Sequence, residues 1–283
     1  MAKRNRENRP DKYEKWIKEG YGQGIGKEYK PWLTIQDVPS KGRVTRVHGI
    51  KIDRQHDVFS DKERNYLYIL EFADCVKDIR EQYPLFPLEQ TMAIAEELGI
   101  EHPKDPITGE NIIMTTDFLI TIEKNGQLLQ VARTIKSPEE LDKYRQIEKF
   151  EIERRYWLMK GIDWGIVTDN EINETFASNI GNLRSCIKLE NISYFENLTA
   201  KYIEKLSKTF KSLIVGTEIS VRDIASDFDD KMMLTPGTAI SIFKHLIITK
   251  QIEIDLFKKI NIDIPMKIID KYVEAKKQGV ESL

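Results

Sequence analysis

The chain reads as an α/β protein, a mixed sheet flanked by helices, followed by a smaller, mainly helical domain of winged-helix type. Three observations carry this reading. Two alternating apolar runs between Met114 and Lys136 flank Asn125-Gly126, a dipeptide suited to a two-residue type I′ hairpin turn. A helical pattern and then a further strand follow the hairpin, and such an order implies a parallel crossover in the same sheet. Finally, Thr168-Asp169-Asn170 marks a change of composition, after which most patterns are helical. The expected domains are 1–169, with a basic N-terminal arm, and 170–283.

Taken in order, residues 1–20 carry a weak helical pattern with Trp16 and Ile17 as anchors. The GYGQGIG run, with Gly22, Gly24 and Gly26, lacks the preceding strand and following helix of a phosphate loop, so it reads as a turn or a place of close backbone approach. Pro31-Trp32-Leu33 and Pro39-Ser40-Lys41-Gly42 punctuate loops. Val44 to Ile52 predicts a strand. Ser60 with Glu63 three residues on forms a capping box, opening a helix whose face is Tyr66, Leu67, Ile69 and Leu70. Asp74 to Gln82 predicts a strand, and Thr91 to Leu98 a short helix stopped at Gly99.

After the hairpin, Ser137-Pro138-Glu139-Glu140 is a second capping box with proline at the first helical position. The pattern predicts one helix to about Lys160, with Leu141, Tyr144, Ile147, Phe150 or Glu151, Tyr156 and Met159 facing inward. Trp164, Ile166 and Val167 predict a short buried strand. Helices follow near 171–188, 197–213 and 220–231, the last capped by Ser220 with Asp223. A fourth starts at Thr235-Pro236 with Ala239, Ile242, Phe243 and Leu246 inward and Thr238, Ser241, Lys244 and His245 outward. Ile252 to Phe257 alternates as a strand, with Lys258-Lys259 at the tip of a β wing. The fourth helix then takes the recognition-helix position, for groove reading or for partner contact.

Composition excludes several classes. Charged residues make up 32% of the 283, yet the net charge is −2. The basic character is local: residues 1–30 hold nine Lys/Arg against five acids, a footprint suited to nucleic acid as much as to a solvated terminus. Cys75 and Cys186, far apart and in apolar surroundings, argue for a reducing compartment and against a disulfide framework. The four histidines have no zinc-like spacing. No run approaches the roughly 18–20 apolar residues of a membrane span, and the N-terminus lacks a signal-peptide core, so a soluble cytoplasmic protein is expected.

The hairpin is where chemistry gathers. With the turn at Asn125-Gly126, Asp117 lies opposite Thr134, and Lys136 shares the face of Thr134. Aspartate is disfavoured in strand interiors, so Asp117 asks for a reason. A carboxylate, a hydroxyl and an ammonium on one patch suit a hard metal ion and a reacting water, the needs of phosphodiester hydrolysis. Mg²⁺ is held by one or two carboxylates, and a neighbouring lysine can stabilise developing charge. The second carboxylate must come from elsewhere, and Glu63 is the best candidate, although the capping box alone explains it.

The run GYGQGIGKEYKPWLTIQDVPSKGR, then SDKE, DIREQYPL, TTDFL and ERRYW followed by DWGIVTDNEIN, resembles the TnsA family, the endonuclease subunit of the heteromeric transposase of Tn-seven-type transposons. The likeness covers most of residues 18–173 and is much weaker beyond 175. It implies a restriction-endonuclease-like catalytic domain of the PD-(D/E)xK kind and a winged-helix-like C-terminal domain. It further implies an Mg²⁺-dependent nuclease, with Mn²⁺ as substitute, cutting the 5′ ends of a transposon in double-stranded DNA. A TnsB-type transposase would act on the 3′ ends and a TnsC-type ATPase would contact the pair.

Residue by residue, the resemblance implies that the catalytic acids are Glu63 and Asp117 and the catalytic lysine is Lys136. Thr134 occupies the slot where the family pattern has an acid or amide, so it offers a weaker neutral ligand or holds a water on the ion. A family acid shortly after the first capped helix is absent at Ala73, with Asp74 the nearest carboxylate. Arg154 and Arg155 of ERRYW either touch DNA or a partner, or pair with Glu151; Lys244 is a further DNA-contact candidate. Two alternatives stand beside the transposon-end nuclease: an architectural DNA-binding subunit that is catalytically weak or inactive, and a stand-alone restriction or repair nuclease.

Overall fold

The structure is a computed structural model that describes residues 10–37 and 43–270. The start of the basic arm and the 39–42 loop expected from sequence lie outside the described residues. The chain divides into two compact units, Met1–Asn173 and Glu174–Leu283.

The first unit is built on a four-stranded sheet in the order β3 (Val76–Pro84), β4 (Thr115–Lys124), β5 (Gln127–Ile135), β6 (Asp163–Val167). The first three strands are antiparallel and β6 joins β5 in parallel, as the strand–helix–strand order requires. Lys124 pairs with Gln127 and the register runs on to Phe118↔Arg133. Asn125 and Gly126 both have positive φ, 52° and 75°, the signature of the type I′ turn.

Helices cover both faces. On one, Leu67 and Leu70 of α2 (Asp61–Phe72) pack on Val76, Ile79, Phe118, Ile120, Ile135 and Val167. On the other, Ile94 and Ala95 of α3 (Leu88–Leu98) join Ile152, Tyr156 and Trp157 of α5 (Tyr144–Met159) over Leu119 and Ala132. Alternation of side chains along β4 and β5 divides these two cores. Around them, α1 (Pro10–Lys18) contributes Trp16 to a cluster with Tyr21, Trp32 and Ile113. Ile17, the other expected anchor, is exposed. The GYGQGIG segment is a packed turn: a Cβ on Gly22 would come 2.3 Å from Pro84 Cγ, and the Gly26 N–H donates to Asp78 Oδ1.

Three expectations change. The strand predicted over 44–52 is only β1 (Thr45–His48); the chain turns at Gly49 and returns as β2 (Gln55–Val58). A Cβ on Gly49 would lie 2.1 Å from Ile52 O, so the reversal needs glycine there. The helix predicted from Ser137 to Lys160 is two, α4 (Pro138–Leu141) and α5, because Lys143 takes an extended conformation and becomes the N-cap of α5. Ser137 sits at the N-cap of α4 without a side-chain capping bond. The break resets the phase of α5: Tyr144, Ile147 and Met159 are exposed, while Phe150, Ile152, Glu153, Tyr156 and Trp157 are buried. Cys75 is exposed rather than apolar in setting, and Cys186 is buried; both are free.

Among its described residues the second unit contains α6 (Glu174–Leu183), α7 (Ala200–Ile214), α8 (Val221–Lys231), α9 (Thr238–Ile248) and a two-residue strand pair, β7 (Ile252–Glu253) with β8 (Ile269–Asp270). The strand expected to reach Phe257 pairs only at its start. Ser220 caps α8 through the Asp223 N–H, as its sequence indicates. For α9 the N-cap is Gly237, not Thr235, and the Asp229 carboxylate of α8 accepts the Gly237 and Ala239 N–H groups. Ala239, Ile242, Phe243 and Leu246 are buried as expected, but so is Thr238, and Ser241, Lys244 and His245 are half-buried. His245 Nδ1 bonds to the Cys186 carbonyl. The residues expected to face outward from this helix are thus less exposed than a recognition-helix position predicts. Among the described residues no helix is long and apolar enough to cross a membrane.

Candidate active site

At the start of α2 the Ser60 half of the capping box forms as the sequence spells it, while the Glu63 side chain reaches back one residue further, to Phe59. Ser60 Oγ accepts the Glu63 N–H at 3.1 Å and donates to Glu63 Oε1 at 3.0 Å, while Glu63 Oε2 accepts the Phe59 N–H. The box fixes Glu63 as well as the helix: its carboxylate is buried and faces the end of the hairpin. A carboxylate has about four lone-pair sites, so these bonds do not exhaust it.

Asp117 sits where the β4–β5 ladder ends. Beyond Phe118↔Arg133 no further pair is made, and Asp117 Oδ2 accepts the Ile135 N–H at 2.7 Å. A backbone donor left by the end of pairing thus holds the carboxylate rigidly. Lys136 Nζ lies 3.5 Å from the same oxygen. Its pKa is raised, chiefly by Asp117, with Glu63, Glu140 and Glu153 adding to the effect.

Burial, then the charge of Asp117, pushes the Glu63 carboxyl up to about 7. Two acids forced together with one lysine are short of positive charge, a deficit that a divalent cation would relieve. No group of three or more His, Cys, Asp or Glu among the described residues converges to hold a metal. The donor set here is two carboxylates with neutral oxygens, which suits a hard ion that keeps much of its water.

Thr134 comes to the same place but faces a residue the sequence reading did not single out. Its hydroxyl donates to Glu153 Oε1 at 2.5 Å. That oxygen also accepts from Thr116 Oγ1 at 2.6 Å and Trp164 Nε1 at 2.9 Å. Glu153 is fully buried, and its carboxyl is raised to about 7 by that burial; Asp117 also raises it, while the three donors work the other way. The acid was in plain view as the first letter of ERRYW. A glutamate on a helix ordinarily reads as solvated, and only the phase of α5 turns it inward.

Of the expected residues, Glu63, Asp117, Thr134 and Lys136 therefore meet at one end of the sheet. Arg154 and Arg155 do not join them: Arg154 forks onto Glu151, its Nε at 2.7 Å, and Arg155 Nε donates to the same carboxylate at 2.9 Å, as ordinary helix pairs. Lys244 belongs to the second unit and lies near Cys186. Asp74 is exposed and makes no part of the cluster.

Comparison with known proteins matches both units. A family model described as TnsA-like endonuclease N terminal matches residues 73–169, and one described as TnsA endonuclease C terminal matches 171–256. The chain is 38% identical over 258 residues to the Transposon Tn7 transposition protein TnsA of Escherichia coli, covering 91% of this chain and 90% of that protein. The likeness thus extends well past residue 175, where motif reading had faded.

Proposed function

This chain belongs to the TnsA endonuclease family, and from that premise we propose that it is the Mg²⁺-dependent nuclease that cuts the 5′ ends of a Tn7-type transposon. A nuclease role in such transposition follows from family membership. The observation that supports the finer reading is the pressure of Asp117 on the buried Glu63 carboxyl beside Lys136.

Glu63 and Asp117 would hold the ion, and Thr134 would add a neutral oxygen or a water. When bound, the ion supplies positive charge against the scissile phosphate and activates the attacking water. The chain's own residues set the geometry. The Ile135 N–H aims Asp117, the capping box aims Glu63, and Lys136 places a second positive charge where the phosphate gains negative charge. Mn²⁺ would serve in place of Mg²⁺. The partners are double-stranded DNA at the transposon ends, a TnsB-type transposase and a TnsC-type ATPase.

The test is strand cleavage on end-containing DNA with the co-expressed transposase. Asp117→Asn keeps an oxygen for the Ile135 N–H, so the fold persists while 5′ cleavage is lost. Undiminished cutting by this variant would sink the assignment. The architectural alternative draws on Thr134, whose hydroxyl proton is committed to Glu153. It predicts no metal-dependent cleavage by the wild type and no loss of function on Glu63→Ala.

A further inference from the structure

We propose that Lys149 contacts the DNA backbone at the cleavage site, taking a phosphodiester oxygen beside the scissile bond. The idea rests on the nuclease reading above and deepens it.

Lys149 lies on α5 one turn before Glu153, on the side of the helix that meets the active-site end of the sheet. The cations around it are spoken for. Lys136 is paired with Asp117, and Arg145 with Glu148 at 2.7 Å. Among the described residues Lys149 has neither a hydrogen bond nor an ion-pair partner. Its helix positions explain why. The residue four back is Arg145, a like charge. The residue four ahead is Glu153, the usual helix partner, but its carboxylate is turned inward onto Thr116, Thr134 and Trp164.

An unpaired surface lysine ordinarily carries its ammonium out to water. Lys149 is instead half-buried, and burial first, then Arg145 and Lys136, lower its pKa. An ammonium partly stripped of water and set beside two other cations is held unfavourably in the free protein. A polyanion relieves that repulsion, and in a nuclease the polyanion is the substrate. Phosphate contacts of this kind position the duplex without reading its sequence.

The experiment measures affinity of the full-length chain for a short duplex across a salt series, for the wild type, Lys149→Ala and Lys149→Arg. Calcium replaces magnesium to prevent cutting. Losing one phosphate contact lowers the slope of log affinity against log salt by about 0.9. Lys149→Ala is expected to show that loss equally on end-containing and unrelated duplexes, and Lys149→Arg to restore it. Thermal melting of each variant accompanies the series, since a merely structural role would shift melting and leave the slope intact. A wild-type slope in Lys149→Ala overturns the proposal, as does failure of Lys149→Arg to rescue. A Lys149-dependent slope without metal-dependent cleavage by the wild type leaves the phosphate contact standing and overturns the nuclease reading instead.

Discussion

Thr134 donates its hydroxyl to Glu153 Oε1 at 2.5 Å, and through that bond the last turns of the hairpin strand are tied to α5. The bond also decides what Thr134 can do. Its proton is spent on Glu153, so toward the cleavage site it offers only a lone pair. On the nuclease reading proposed above, this neutral residue is therefore a positioning residue first.

Thr134→Val, equal in shape but without the hydroxyl, tests this. Removing one donor from a buried carboxyl costs about 1–3 kcal/mol of stability. Mn²⁺ affinity, measured by calorimetry, is expected to fall only a few-fold. A complete loss of ion binding in a folded variant would make Thr134 a principal ligand.

The two raised carboxyls predict how stability varies with pH. Glu63 and Glu153 each titrate near 7 in the folded chain, against 4.5 unperturbed. The folded state then binds more protons than the unfolded state between those values. Stability contributed by these groups is full below about 4.5 and is lost as pH rises toward 7, on the order of 3 kcal/mol for each group. Metal-free chemical denaturation at several pH values checks this. Glu153→Gln should remove roughly half of the decline; an unchanged profile would refute the role given to Glu153.

Metal binding is expected to release a proton near pH 6. Glu63 is mostly protonated there and must ionise to act as a ligand. Ion affinity should rise with pH and level off above about 7. Titrations in two buffers of different ionisation enthalpy measure the proton directly. Equal heats in both would mean that Glu63 is not displaced from its protonated form.

A second buried network supports the sheet edge. Arg54 donates to both oxygens of Glu81, at 2.6 and 2.5 Å, and His56 Nδ1 lies 2.9 Å from Oε2. Burial alone would raise the Glu81 carboxyl, but Arg54 and His56 hold it down to about 2. Arg54→Ala leaves that carboxylate buried without its main partner and is expected to cost about 3–5 kcal/mol in denaturant unfolding. A cost under about 1 kcal/mol would mean the network contributes little beyond packing.

Much of the site is legible in the chain. Asn125-Gly126 sets the turn, the turn sets the register, and the register with the strand period puts Asp117, Thr134 and Lys136 together. The Ser60 half of the capping box is local as well, which is why it forms as read. These are short-range rules of backbone geometry, and neighbours in sequence suffice to apply them.

What only the tertiary structure decided is which helix faces turn inward. The break at Lys143 rephased α5, exposing the apolar Tyr144 and Ile147 and burying the acidic Glu153. Likewise Thr238 of α9 is buried, and Ser241, Lys244 and His245 are half-buried, where the pattern left all four to solvent. Burial depends on what packs against an element from elsewhere in the chain, and a carboxyl can be buried wherever such packing supplies its donors. Thr116, Thr134 and Trp164 supply them to Glu153 from three separate segments. No window of sequence contains that set; folding brings it together.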